Sequence, residues 1–196
     1  MKLLSIIVPT IGRDSLRATL ASIASQWDGE QVIVIEDGYL GLASSTYDEF
    51  AYDFPAGAWC YLGHESMGGY GHGLRNFCLD EQVVEGQWLA TIDDDDVYLP
   101  GAFAYLREWC CDSPVFFKMN FGPGSHAHGI TTWQRQKLLL GEVGTPMILA
   151  PVCKARFGLY YDGDLVYAQS LVDEVGEPIW REEVIAEVRP VKQAVA

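Results

Sequence analysis

The chain has 196 residues, 49% of them apolar and 20% charged, which is enough to bury one core in a single domain and too apolar for intrinsic disorder. Its 13 Lys plus Arg stand against 27 Asp plus Glu, a formal charge of −14 that repels a nucleic-acid backbone or an anionic membrane face. Five cysteines with no CxxC pair argue against a disulfide framework or a zinc knuckle and for a reducing compartment, with the thiols serving as small buried apolar residues.

The opening MKLLSIIVPT has an apolar run that stops at Pro9 with no cleavage pattern behind it, so it reads as a strand rather than a signal peptide. Residues 3–8 and 32–35 (VIVI) are the first two buried strands, with polar carboxyl ends at Pro9-Thr10 and Glu36-Asp37-Gly38. Between them Leu16, Leu20, Ile23, Ala24 and Trp27 recur at helical spacing, predicting an amphipathic crossover helix over 15–27 behind an Asp14 cap. Together these form a βαβ unit. A short strand is expected at 58–62. After the glycine-rich Gly68 to Gly73, a run with no P-loop Lys that reads as a loop over a ligand site, Leu74, Phe77 and Cys78 predict a second helix. A strand over 87–92 then runs into Asp93-Asp94-Asp95-Asp96. Pro100 fits the first turn of a helix carrying Phe103, Leu106, Trp109 and Cys110. Residues 115–119 read as a strand and 121–130 as loop. Leu165, Ala168, Leu171, Val172 and Val175 mark a last helix, opened by Asp164 and closed by Gly176 and Pro178, before a final strand at 183–188. No window approaches the roughly 18 apolar residues of a membrane span. The expectation is one cytoplasmic α/β domain with no membrane or nucleic-acid partner.

Ligands of open parallel sheets bind beyond the carboxyl ends of the strands, and three predicted strands end in polar residues there. Four consecutive Asp are costly to hold together, since like charges about 4 Å apart repel by roughly 1 kcal/mol in water and about 4 kcal/mol at an effective dielectric near 20. A hard divalent cation, magnesium or manganese, would relieve this and bridge to a phosphate-bearing substrate. An EF-hand fails, because the register from Asp93 puts Tyr98 where its glycine belongs. A solvated acidic turn is the plain alternative.

The ordered pieces SIIVPT, VIVIEDG, GLRN and IDDDDVYLPGAF, over about residues 3–106, resemble the amino-terminal signature of glycosyltransferase family 2, nucleotide-sugar transferases of GT-A fold. The resemblance implies a GT-A-like, mostly parallel sheet flanked by helices, with a nucleotide-binding half over 1–106 and an acceptor-side half over 107–196. It implies that Pro9, Thr10, Glu36 and Asp37 hold the nucleotide, with Asp37 facing the base. Arg75 would lie near the base or phosphates and Asp93 toward the ribose. Asp95 would ligate the metal, flanked by Asp94 and Asp96. Asp164 would be the general base, with Asp162 as its substitute. The implied activity is metal-dependent, inverting, single transfer from a nucleotide-diphosphate sugar, a UDP sugar foremost, to a soluble acceptor. Ile11-Gly12 departs from a common aromatic-Asn pair, Glu36 stands where Asp is usual, and Gly163-Asp164 stands where Glu-Asp is common. The QxxRW motif of processive synthases is absent.

Plainer roles remain open for several of these residues. Asp37-Gly38 is an ordinary turn pair after a strand, and Asp164 suits a helix cap. His126 and His128 would share a face only if their segment were extended, and Trp133 is a candidate for stacking on a sugar. A sugar-nucleotide pyrophosphorylase would carry a Gly-rich basic loop after the first strand, of which PTIGRDS is a poor version. A nucleotide or divalent-cation binding module without catalysis is the alternative from another class.

Overall fold

The computed structural model describes residues 4–52, 54–121 and 134–188. Strand β1 (Leu4–Thr10) and strand β2 (Gln31–Asp37) are buried almost throughout and pair in parallel, Ser5 opposite Gln31 through Thr10 opposite Glu36. Helix α1 (Leu16–Ala24) crosses between them. β3 (Trp59–His64) extends the sheet beyond β2, and β4 (Trp88–Thr91) lies against the other edge of β1, both in parallel. The eight-stranded sheet has the order β3-β2-β1-β4-β7-β6-β8-β5. Its remaining strands are β5 (Val97–Tyr98), β6 (Val115–Phe121), β7 (Ile148–Pro151) and β8 (Ile179–Val188). β7 runs antiparallel to both β4 and β6, whereas β6 and β8 are parallel. The result is a mixed α/β sheet in which parallel pairing dominates around β1 and β2.

Alternation along the central strands sorts the core into two layers, because successive side chains of a strand point to opposite faces. Ile6, Val8, Val32 and Val34 pack with Leu16, Leu20 and Ile23 of α1 and with Phe103 and Leu106 of helix α4 (Ala102–Glu108). Tyr47 and Phe50 of helix α2 (Ser44–Ala51) lean on the same layer. Ile7, Ile33 and Ile35 face the other way, against Leu74 and Cys78 of helix α3 (His72–Asp80) and Tyr167, Ala168 and Leu171 of helix α5 (Gly163–Val175). At about 25 cal/mol per Å² of apolar surface, burying such side chains contributes roughly 1.5–3 kcal/mol each before chain entropy is set against it.

Several boundaries differ from the sequence expectation. α1 is shorter than 15–27; its cap position is Ser15, which is itself helical, and no side chain caps it, so Asp14 does not play that part. Pro100 precedes α4 rather than opening it, and Gly101 at φ 89° holds the cap position. α5 begins one residue before Asp164, with Asp162 at the cap. β3 and β8 are longer than expected, while α2, β5 and β7 were not anticipated. Only Cys78 of the five cysteines is fully buried; the others are half-buried and all are free thiols. Burial pushes the Cys78 thiol up to about 12. Of the expected loop at 121–130, Phe121 instead ends β6; the rest of it, with His126 and His128, and Trp133 lie outside the described residues.

Candidate active site

The carboxyl ends of β1, β2 and β4 open into one cleft of about 280 Å³. Thr10 and Ile11 follow β1, Asp37 ends β2, Asp93 to Asp95 follow β4, and loop 68–71 closes one side. Parallel strands place their carboxyl ends together, so polar residues distant in sequence become neighbours.

The four consecutive Asp divide into different tasks. Asp94 is almost wholly buried and accepts from Thr10 Oγ1 at 2.7 Å, Ile11 N at 3.3 Å and Arg13 Nη1 at 2.8 Å. It therefore pins the turn after β1, with little carboxylate surface left for a ligand. Arg13, the basic residue of PTIGRDS, lines the cleft and also reaches Asp95 at 3.2 Å. Asp93, Asp95 and Asp96 each offer a carboxylate oxygen, and these atoms lie within 4.8 Å of one another. Three hard oxygen donors at that separation fit a divalent cation, which would replace their mutual repulsion by attraction. Asp96 joins Asp95 in that set although it was expected only to flank it.

Glu36 and Asp37 both brace neighbouring backbone, but only Asp37 lines the cleft. Glu36 is buried and accepts from the amides of Leu42 and Ala43 at 3.0 and 3.1 Å and from the Tyr61 hydroxyl. Its charge thus sits at the start of α2, where the helix dipole favours an anion. Burial, then Glu36, raises the Tyr61 hydroxyl pKa. Glu36 does not line the cleft. Asp37 does; it accepts from Met67 N at 2.7 Å and Gly68 N at 3.3 Å, tying β2 to loop 68–71. Pro9 lines the cleft too, and packs so closely on Gly71 that a Cβ there would stand 2.9 Å from the Pro9 ring.

Arg75 is fully buried. Its guanidinium donates to Thr91 Oγ1 at 2.8 Å, Tyr70 O at 3.1 Å, His72 Nδ1 at 3.3 Å and the Asp93 carboxylate. A buried cation needs this much compensation. It holds Asp93 from behind rather than lining the cleft. Because a guanidinium only donates, His72 Nδ1 is the acceptor and the neutral ring carries its hydrogen on Nε2. Burial, then Arg75, pulls the His72 pKa down to about 4. The imidazole is stacked on Phe157 at 5.6 Å, and Phe157 on Tyr167 at 3.9 Å.

Asp164 lies on the far side of this cluster. Its Oδ1 is 3.6 Å from His72 Nδ1, too long for a hydrogen bond, and that buried oxygen has no hydrogen-bond partner among the described residues. The side chain as a whole is 23% exposed. Burial raises its pKa to about 7, opposed by Arg75 and assisted by Asp93. The unusual glycine before it has a steric cause: a Cβ on Gly163 would run into the Gly158 carbonyl and the His72 ring. His72 fills the space that a larger residue 163 would need.

The sequence model described as glycosyl transferase family 2 matches residues 5–140. No curated protein matches the chain. Among solved structures, S. aureus TarS 1-349 superposes with a TM-score of 0.72 at 16% identity, covering 96% of this chain and 60% of that one. The same protein in complex with UDP-GlcNAc gives 0.68 at 16% identity, over 96% of this chain and 58% of that one. A mannosyltransferase from Pyrobaculum calidifontis, in complex with GDP-Man and Mn2+, gives 0.71 at 15% identity over 97% of this chain and 58% of that one. The fold is thus GT-A-like, and the chain spans about 60% of the TarS fragment's length.

Proposed function

This chain belongs to glycosyl transferase family 2, and from that premise we propose that it is a metal-dependent, inverting, non-processive glycosyltransferase that moves a sugar from a nucleotide-diphosphate donor, a UDP sugar foremost, to a soluble acceptor. The observation that carries the reading is the convergence of Asp37, Arg13, Asp93 and Asp95 on one cleft at the strand ends, with the buried Asp96 carboxylate within 4.8 Å of the Asp93 and Asp95 oxygens. Residues 1–106 form the donor half and 107–196 the acceptor side.

Asp37, at the end of β2, accepts from the imino N–H of the base, a group that uracil and guanine carry and neutral adenine and cytosine lack. Asp93, Asp95 and Asp96 hold manganese or magnesium, and such an ion, when bound, stabilises charge on the departing diphosphate. Arg13, 47% exposed on the cleft wall, supplies a donor for the same phosphate oxygens. Arg75 acts through Asp93, fixing its carboxylate from behind. On the acceptor side Asp164 takes the hydroxyl proton as the acceptor oxygen forms its bond to the anomeric carbon, while the bond from that carbon to the phosphate oxygen breaks and its electron pair leaves with the diphosphate. One displacement inverts the anomeric centre. A base with a pKa close to the working pH combines a substantial ionised fraction with useful basicity, and the burial of Asp164 tunes it that way.

The test is calorimetric titration of UDP and GDP with and without Mn2+, beside turnover of the corresponding sugar donors. Asp95→Ala is expected to abolish the metal-dependent part of nucleotide binding with the fold intact. Unchanged metal-dependent affinity removes Asp95 from the site, and binding without any donor turnover reduces the protein to a nucleotide-binding module.

A further inference from the structure

Loop 68–71 has an unusual backbone. Gly68, Gly69, Tyr70 and Gly71 all have positive φ, at 57°, 64°, 57° and 78°. Glycine adopts this region without penalty, but a residue with a Cβ does so at roughly 1–2 kcal/mol. Such strain concentrates where a side chain is needed for a ligand. The Tyr70 ring does nothing for the core: it is 69% exposed and stands on the cleft wall.

Its neighbour is a second exposed ring. Tyr161, 73% exposed, meets Tyr70 edge-on with centroids 6.1 Å apart and planes at 78°. The two loops that carry them abut, since a Cβ on Gly69 would lie 3.0 Å from the Leu159 carbonyl. Segment 158–163 is itself folded back, with Gly163 N donating to Tyr160 O at 2.9 Å. Three residues after Tyr161 comes Asp164, whose Oδ1 has no hydrogen-bond partner among the described residues. His72 links the two features, its ring 6.3 Å from Tyr70 and its Nδ1 3.6 Å from that oxygen. The rim therefore presents aromatic faces beside a carboxylate that is 23% exposed, its inner oxygen buried and without a hydrogen-bond partner among the described residues.

A sugar ring has the complementary chemistry. One face of a pyranose is a patch of C–H groups that packs on an aromatic ring, and its edge carries hydroxyls that donate hydrogen bonds. Tyrosine suits such a half-wet surface. Charge narrows the class further. The ionisable groups around this rim are Asp37, Asp93, Asp95, Asp162 and Asp164, while the nearby cations Arg13 and Arg75 are paired with Asp94, Asp95 and Asp93. The metal held by Asp93, Asp95 and Asp96 would offset the donor's diphosphate, whereas a further phosphate or carboxylate on an acceptor beside Asp162 and Asp164 would be repelled.

Resting on the transferase reading above, we propose that Tyr161, with Tyr70 reaching across from the donor half, forms the acceptor platform and that the acceptor is a neutral saccharide, its ring stacked on Tyr161 and its attacking hydroxyl donating to the exposed part of the Asp164 carboxylate. The experiment measures nucleoside diphosphate release by the full chain with Mn2+ and sugar donor, in the presence of neutral oligosaccharides or of their phosphorylated and uronic counterparts. A neutral saccharide is expected to accelerate release above the rate in water. Tyr161→Ala is expected to raise the KM for that saccharide about tenfold, the scale of one lost ring contact, with little change in kcat, whereas Tyr161→Phe keeps the ring and the wild-type KM. Tyr70→Gly, which removes the backbone strain and so folds, is expected to raise KM in the same direction. Acceleration only by anionic or non-saccharide acceptors overturns the proposal, as does an unaltered KM in Tyr161→Ala. Nucleoside diphosphate binding followed separately by calorimetry distinguishes the failures: with binding intact and no response to neutral saccharides, the acceptor assignment alone falls, whereas without binding the transferase reading falls as well.

Discussion

At Asp164 two influences oppose each other. Its place in the first turn of α5 puts the carboxylate near the positive end of the helix dipole, which favours ionisation. Burial favours the neutral form and prevails, raising the pKa from 3.8 to about 7. Between those two values the folded protein holds a proton that the unfolded chain has released, so this group's contribution to stability falls as pH rises from about 4 to about 7. His72 works the other way: its pKa is depressed from 6.5 to about 4, so its contribution is present above 6.5 and lost as pH falls toward 4. Asp164→Asn removes the first effect and leaves the second. Wild type is therefore expected to lose stability relative to Asp164→Asn between about pH 4 and about pH 7, read from urea midpoints at the two ends. An unchanging difference would mean that Asp164 titrates normally. The same variant keeps a carboxamide in the first turn and is expected to bind donor normally but turn over about 10²–10⁴ times more slowly. Wild-type turnover should rise with pH through about 7, as the base ionises.

The elements that build the site join through α5, α3 and the turn at 158–163, and Gly163 is where they meet. Gly163→Ala is expected to lower stability by about 1–3 kcal/mol, the usual range for a forced extra methyl group. Because His72 supplies only part of the obstruction and the Gly158 carbonyl the rest, the loss should be smaller, but not zero, in a His72→Ala background. Equal losses in both backgrounds, measured as a double-mutant cycle, would remove His72 from the steric account. That junction also shows where sequence patterns stop being informative. β1, β2, β4, α1, α3 and α5 were readable because each carries an unbroken apolar run or a helical stripe. Thr10, Asp37, Asp93 and Asp95 were readable as polar residues following such runs. α2 has no fully buried residue, and β5 is two residues held by pairing with Glu187 and Ala186 of β8. β7 is a four-residue apolar run, too short for periodicity to tell strand from helix. The bracing roles of Glu36, Arg75 and Asp94 depend on partners up to 84 residues away, and although Arg13 and His72 lie in the PTIGRDS and Gly68 to Gly73 runs, nothing in those runs marks what their side chains touch.

The molecule as a whole carries a formal charge of −14, and part of it is concentrated at the ends of β1, β2 and β4, where Asp93, Asp95 and Asp96 bring their oxygens within 4.8 Å. Self-repulsion of this kind opposes the compact state. Two kinds of cation relieve it differently. Monovalent salt screens exposed charges over about 10 Å at 0.1 M and acts on the whole surface. A divalent ion held by the three carboxylates binds the folded chain and not the unfolded one, so it stabilises by mass action, about 2.7 kcal/mol at a hundredfold excess over Kd. For a chain of this length each kcal/mol moves Tm by roughly 2–4 °C, which gives an expected rise of about 5–10 °C. Thermal unfolding in Mn2+ should therefore exceed that in NaCl of matched ionic strength by this margin. Asp95→Ala should melt no lower than wild type without metal, since it removes one of the crowded charges, and should lose the manganese increment while keeping the response to NaCl. Identical shifts in the two salts would reduce the cluster to a solvated acidic turn, and collapse of the fold in Asp95→Ala would mean that the residue supports structure rather than metal binding.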